Sequence, residues 1–120
     1  MEKSILELFL PEGILEYFDV ASVEKTGEGY TISLEEKSLH PYEFAGQKLI
    51  SKGYSDPILV KDFPIRGKAC FLKVKRRRWQ SEDMSKIVSR DWELVAKGTR
   101  MTKEFAAFLK ELHRYNSGKL

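Results

Sequence analysis

The chain has one cysteine, Cys70, in 120 residues, and two histidines, His40 and His113. A lone thiol excludes an internal disulfide framework and fits a reducing, cytoplasmic setting. Zinc needs about four Cys, His or carboxylate ligands in tetrahedral reach. Cys70, His40 and His113 show no paired spacing, so no metal site is expected. The motifs of nucleophilic and phosphoryl chemistry are missing as well: no Gly-x-Ser-x-Gly, no phosphate-binding loop, no His-Glu-x-x-His. Gly27-Glu28-Gly29 is too short for a dinucleotide fingerprint. Asp62, Asp83 and Asp91 flank basic segments, but their spacing does not define a magnesium set, and Asp91 beside Arg90 reads as an ion pair. No apolar run approaches the roughly 20 residues of a membrane span. The opening Met1-Glu2-Lys3-Ser4 leads into an acidic amphipathic stretch, unlike a secretory signal. These absences nominate no catalytic residue and no cofactor, and the expectation is a cytoplasmic protein that is not an enzyme.

Arginine is absent from the first half. Residues 1–60 hold five Lys and eleven acids, a net −6, whereas residues 61–120 hold sixteen Lys and Arg and seven acids, a net +9. The length suits one domain, and an apolar fraction of 42% suffices for a modest core. We therefore expect a single domain over 1–120, with an acidic lobe over about 1–56 and a basic hairpin-plus-helix lobe over about 57–120. The split suits a polyanion-binding half. It also suits a folded dipole with no partner.

Periodicity gives the elements. Ser4-Ile5-Leu6-Glu7 has capping-box spacing, and a helix over about 4–18, broken near Pro11, is expected. Val20–Val23 and Tyr30–Leu34 flank a glycine turn and read as a hairpin. Residues 35–57 are hard to read, with a short helix over about 41–51 as one solution. Ile58–Phe63 reads as a strand, Pro64-Ile65-Arg66-Gly67 as a turn, and Ser81–Ser85 as a polar loop. Phe105, Phe108, Leu109 and Leu112 form the i, i+3, i+4, i+7 stripe of a closing helix, with Thr102 as N-cap and Glu104 and Arg114 suited to its dipole. The expected fold is α+β: a small antiparallel sheet with strands near 29–35, 57–63, 68–78 and 86–95, plus an N-terminal and a C-terminal helix.

The run from Gly67 to Trp79 carries the strongest functional signal. Cys70, Leu72 and Val74 alternate with Phe71, Lys73, Lys75 and Arg77, and a regular strand puts Trp79 on the basic face. Such a row suits a polyanion. It equally suits a solvated outer sheet face. Cys70 falls on the apolar side, where a thiol is inert packing. Trp79 and Trp92 can stack on bases or fill the core. Arg100 and Lys103 stand before the last helix, whose amides can hold a phosphate.

The residues Asp62-Phe63-Pro64-Ile65-Arg66-Gly67-Lys68, Lys75-Arg76-Arg77-Arg78-Trp79, Arg90-Asp91-Trp92 and Gly98–Phe105, with the opening Leu6–Gly13, carry a family likeness. The chain resembles the N-terminal region protein of a bacterial insertion-sequence transposase, encoded apart from its catalytic part. Zinc-bearing leaders of related transposases have cysteines where this chain has Gln80-Ser81-Glu82-Asp83, so no zinc is implied. The Asp-Asp-Glu catalytic domain has no counterpart either. The resemblance implies a DNA-binding part that recognises double-stranded transposon ends, with Lys73, Lys75, Arg76, Arg77, Arg78, Trp79, Arg100 and Lys103 as its contact residues. Two alternatives stay open: a module that docks the separately encoded catalytic subunit, and an RNA-binding domain in which Phe71 and Trp79 stack unpaired bases.

Overall fold

The computed structural model describes residues 3–39, 46, 48–81, 87–90, 92, 94 and 99–117. Within them the protein is α+β and mostly strand. Strands β1 (Phe18–Lys25), β2 (Gly29–Glu36), β4 (Ile58–Ile65) and β5 (Lys68–Lys75) form one sheet in the order β1-β2-β5-β4. Strands β3 (Leu49–Tyr54), β6 (Arg77–Ser81) and β7 (Ile87–Ser89) form a second, in the order β3-β6-β7. Helix α1 covers Lys3–Glu7 and α2 covers Lys103–Ser117.

Several expectations need correction. The sheet is not wholly antiparallel, because β2 and β5 run parallel at its centre, Tyr30 beside Cys70 and Leu34 beside Val74. There are two sheets rather than one. The expected helix over 4–18 is a single turn of α1 and a 3-10 turn at Ile14–Glu16, after which the chain is already extended at Phe18. Pro11 and the left-handed Gly13 (φ 80°) separate the pieces. Ser4 lies inside α1, so it does not cap it. The helix over 41–51 gives way at its end to β3, and most of its expected span lies outside the described residues. Of the strand expected over 86–95, the described residues are strand at Ile87–Ser89 and not at Arg90, Trp92 or Leu94, and Trp92 and Leu94 pack against the core. Ser81 closes β6 rather than opening a loop. The charge boundary near residue 57 matches no sheet boundary, since each sheet mixes strands from both halves of the chain.

Other features follow local chemistry. The β4–β5 hairpin turns at Arg66 (φ 54°) and Gly67 (φ 76°), the two left-handed positions of a primed two-residue turn. Pro64 sits where the β4–β5 register slips between Asp62 and Ile65, a bulge that tolerates a missing amide hydrogen. Even-numbered residues of β2 and β5 point inward: Ile32, Leu34, Cys70, Leu72 and Val74 pack with Phe18 and Val60. Leu10, Ile14 and Leu15 of the N-terminal segment complete this core.

At the β4 edge the segment before α2 adds a short parallel rung. The Lys61 amide donates to the Arg100 carbonyl (2.7 Å), and the Thr102 amide donates to the Lys61 carbonyl (2.9 Å). The Thr102 hydroxyl donates to Asp62 Oδ1 (2.8 Å) and accepts from the Phe105 amide (3.3 Å), so Thr102 is the N-cap of α2. Both Thr102 and Asp62 are buried. One side chain thus caps the helix and fastens it to the sheet.

Gly29 opens β2 at φ 149°, and a Cβ there would collide with the Ala69 backbone carbonyl across the parallel pair. Gly29→Ala is expected to lower stability by about 2–4 kcal/mol in urea unfolding, because strain and clash act together. Gly27, with open space around it, is the control: Gly27→Ala is expected to stay within about 1 kcal/mol of the parent. Equal effects at both positions would contradict the close parallel approach.

Candidate nucleic-acid interface

The basic run does not stay on one face. Strand β5 ends at Lys75, and Arg76 leaves the ladder, its carbonyl accepting from the Ser55 amide (2.8 Å). Burial then falls on Trp79 and Ser81. A regular strand continuing from Val74 would instead bury the even positions. Trp79 is therefore buried at 5% exposure and offers no ring face to a base, which corrects its expected position on the cationic side.

Arg77 turns inward. Its Nη1 donates to Ser51 Oγ (2.7 Å), and its Nη2 donates to Tyr54 Oη (2.8 Å) and to the Glu36 carbonyl (3.2 Å). The guanidinium also lies 4.8 Å from the centre of the Tyr54 ring. Glu36, 2% exposed, accepts at Oε1 from the Arg77 amide (3.0 Å) and from Trp92 Nε1 (2.9 Å). The Trp92 ring packs 4.9 Å from Tyr17 and 5.2 Å from Phe18, and Arg90 stacks on it at 4.2 Å. Arg77 and Trp92 thus build the junction between the sheets. Asp91, the expected partner of Arg90, lies outside the described residues.

The outward positions of the first sheet form ordered rows across the strands. Glu24, Thr31, Phe71 and Lys61 stand side by side from β1 to β4, and Met101 extends the row through its bridge to Lys61. Ser22, Ser33, Lys73 and Leu59 form the next row, and Asp19, Glu35 and Lys75 the third. Lys61, Lys73 and Leu59 are exposed, and Phe71 is half-buried. Lys75 Nζ lies 3.6 Å from Glu35 Oε2. This face is basic on β5 and β4 and acidic on β1 and β2.

Of the expected contact residues, Lys73 and Lys75 share this face. Arg100 and Lys103 are exposed beside its β4 edge. Arg76 and Arg77 stand at the junction, and Arg78 is exposed on the second sheet, opposite Ser89. Lys61 was not among them, although it alternates with inward Val60 and Asp62 in a readable strand. Glu36 had no local signal at all. The start of α2 is not an open phosphate cradle, since the amides of Thr102, Lys103 and Phe105 donate to Lys61, Leu94 and Thr102. Among the described residues, no three His, Cys, Asp or Glu side chains converge as metal ligands, and no helix is long and apolar enough to cross a membrane.

Cys70 is fully buried. Burial first, and then the Asp62 carboxylate paired opposite it, push its thiol up to about 11 from an ordinary 9.0. A thiol held protonated in that way is a poor nucleophile.

Two stability measurements follow. Arg77→Met is expected to cost about 2–4 kcal/mol in urea unfolding, because it strands buried acceptors, whereas exposed Arg78→Ser should cost under about 0.5. Similar small effects at both positions would remove the structural role of Arg77. For Cys70, the raised folded value means that the unfolded chain deprotonates first. Its contribution is whole below pH 9 and falls as pH climbs toward 11, by about 2–3 kcal/mol in all. The stability advantage of the parent over Cys70→Ala should shrink across that window, and an advantage that stays constant with pH would refute the shift.

Comparison with protein-family models, with curated proteins and with solved structures found no match to the chain.

Proposed function

We propose that this chain is a DNA-binding module, the N-terminal region of a split bacterial insertion-sequence transposase, and that it grips duplex DNA through the basic side of its open sheet. One observation carries the reading: Lys61 and Lys73 stand exposed on adjacent strands, with Lys75 beside them and Arg100 at the same edge. Paired strands hold the backbone positions of these cations at fixed spacing, so only side-chain freedom is lost when phosphates arrive. The family likeness of the sequence and the +9 charge of the second half support the same reading.

The geometry favours the phosphate backbone over the base edges. Four strands about 4.8 Å apart make a platform too broad for the roughly 12 Å major groove, which admits a helix or a two-stranded ribbon. A platform of this kind bridges phosphates across a groove. Contacts of that sort set register and orientation, and carry no sequence information by themselves. The acids on β1 and β2 repel phosphate and confine the contact to the β5–β4 side.

A second reading has one observation behind it. Phe71 lies between Thr31 and Lys61 in the first of these rows, where a ring can meet an unstacked base, so a single strand is the alternative ligand.

The test is a salt titration of duplex binding. Replacing Lys61, Lys73 and Arg100 together by Ser is expected to weaken binding and to reduce the slope of log K against log salt by about 0.9 per lost contact, about 2.7 in total. An unchanged slope would remove this face as the site. Tighter binding of single strands, with loss on Phe71→Ala, would select the second reading.

A further inference from the structure

A groove of opposite electrostatic character, lined by apolar and acidic side chains, lies between the segment after α1, strand β4 and the start of α2. Leu8, Phe9 and Phe63 line a cavity of about 290 Å³ together with Asp62 and Glu104. The Phe63 ring lies 5.2 Å from Phe105 and 5.5 Å from Phe108, so the apolar surface runs on along α2 to Leu112, one turn further. Phe105 is buried in that contact. The rest of the row is not: Leu8 is 78% exposed, Phe9 48%, Phe108 50% and Leu112 44%. Single exposed apolar residues are ordinary, but a continuous row of large ones marks an interaction surface.

The acids around the row define what it takes. Glu7, Glu12 and Glu16 share an adjoining cleft with Glu104. Glu111, two turns after Glu104, falls on the same flank of α2 and meets Arg114 at 3.6 Å. Lys110 and His113 turn to the other flank by the helical repeat. A phosphate backbone is repelled here, and a basic, partly apolar partner is attracted.

We propose that this groove receives an amphipathic helix from another polypeptide, apolar on one face and flanked by Lys or Arg. A helix suits the site because Phe108 and Leu112 recur once per turn. That repeat matches the ridges of a second helix laid beside α2. The proposal is independent of the DNA reading, since it uses neither Lys61, Lys73 nor Arg100.

The experiment uses the full chain and a fluorescein-labelled synthetic peptide of about 15 residues, long enough to fold as a helix on contact. The peptide carries Leu at i, i+3, i+4 and i+7 and Lys on both flanks, and its twin carries Glu in place of Lys. Anisotropy should show saturable binding of the Lys peptide at micromolar concentration and at least about tenfold weaker binding of the Glu twin. The double variant Phe108→Ser, Leu112→Ser should weaken the Lys peptide at least about tenfold. Both positions are about half exposed, so circular dichroism should match the parent and thermal unfolding should fall only by the lost Phe63–Phe108 contact. The charge reversal Glu12→Lys with Glu104→Lys should shift preference toward the Glu twin. The proposal is overturned by equal binding of the two peptides, by Lys-peptide binding that ignores the Phe108 and Leu112 changes, or by no saturation at about 200 μM.

Discussion

The carboxylate of Glu36 is the joint on which this structure turns. It sits at the last position of β2, almost without solvent, and a buried carboxylate is costly unless donors surround it. Its donors come from far along the chain: the Arg77 amide, 41 positions away, and the Trp92 indole, 56 positions away. Satisfying Glu36 therefore fixes where β6 begins and where the Trp92 segment lies. It also ends β5, because the chain must leave the first sheet at Arg76 to bring the Arg77 amide to the carboxylate. The guanidinium of Arg77 follows its own amide inward and closes on Ser51, Tyr54 and the Glu36 carbonyl. The division into two sheets and the fate of the cationic run are one event.

This explains what could be read from the sequence and what could not. The strands at Tyr30–Leu34 and Ile58–Phe63, the turn at Arg66-Gly67 and the Thr102 cap are decided by residues within a few positions of each other. Their alternation and turn chemistry show them directly. The parallel pairing of β2 with β5 has no local signature, because antiparallel and parallel strands carry the same alternation when one face is buried. The break at Arg76 is invisible for a related reason. Four consecutive basic residues read as a continuing strand until the distant Glu36 is known. The same break turns Trp79 inward, since one residue outside the ladder changes which positions are buried. At the N terminus, capping-box spacing suggested a long helix, but Pro11 and Gly13 limit it to short turns around the core.

For the candidate interface, the redistribution concentrates the cations. Four consecutive basic residues, Lys75 to Arg78, continuing one strand would have crowded like charges together. In the folded chain, Lys73 and Lys75 keep their place on β5, Lys61 joins them from β4, and Arg100 arrives at the β4 edge through the Lys61 backbone rung. Arg77 is spent inside the protein. The acids of β1 and β2 then supply a boundary on the far side of the same face, and the ion pair of Lys75 with Glu35 marks the line where sign changes. A polyanion laid on this surface has one favourable side, which orients it relative to the strands before any base is read.

Strand β4 carries both surfaces. Lys61 belongs to the basic rows, and Phe63, two residues on, lines the groove beside α2. Between them Asp62 points inward to hold Thr102, so the cap of α2 is fixed to the residue that separates the two surfaces. The bulge after Asp62 re-aims the strand there, as bulges do where neighbouring side chains must serve different surroundings. Their electrostatics keep the surfaces distinct. Phosphate is drawn to Lys61 and repelled by Glu104, and a basic helix is drawn to Glu104 and repelled by Lys61. Two ligands of opposite charge can therefore occupy one small domain without competing. The Asp62–Thr102 hydrogen bond ties α2 to β4 and so sets the position of the one surface relative to the other.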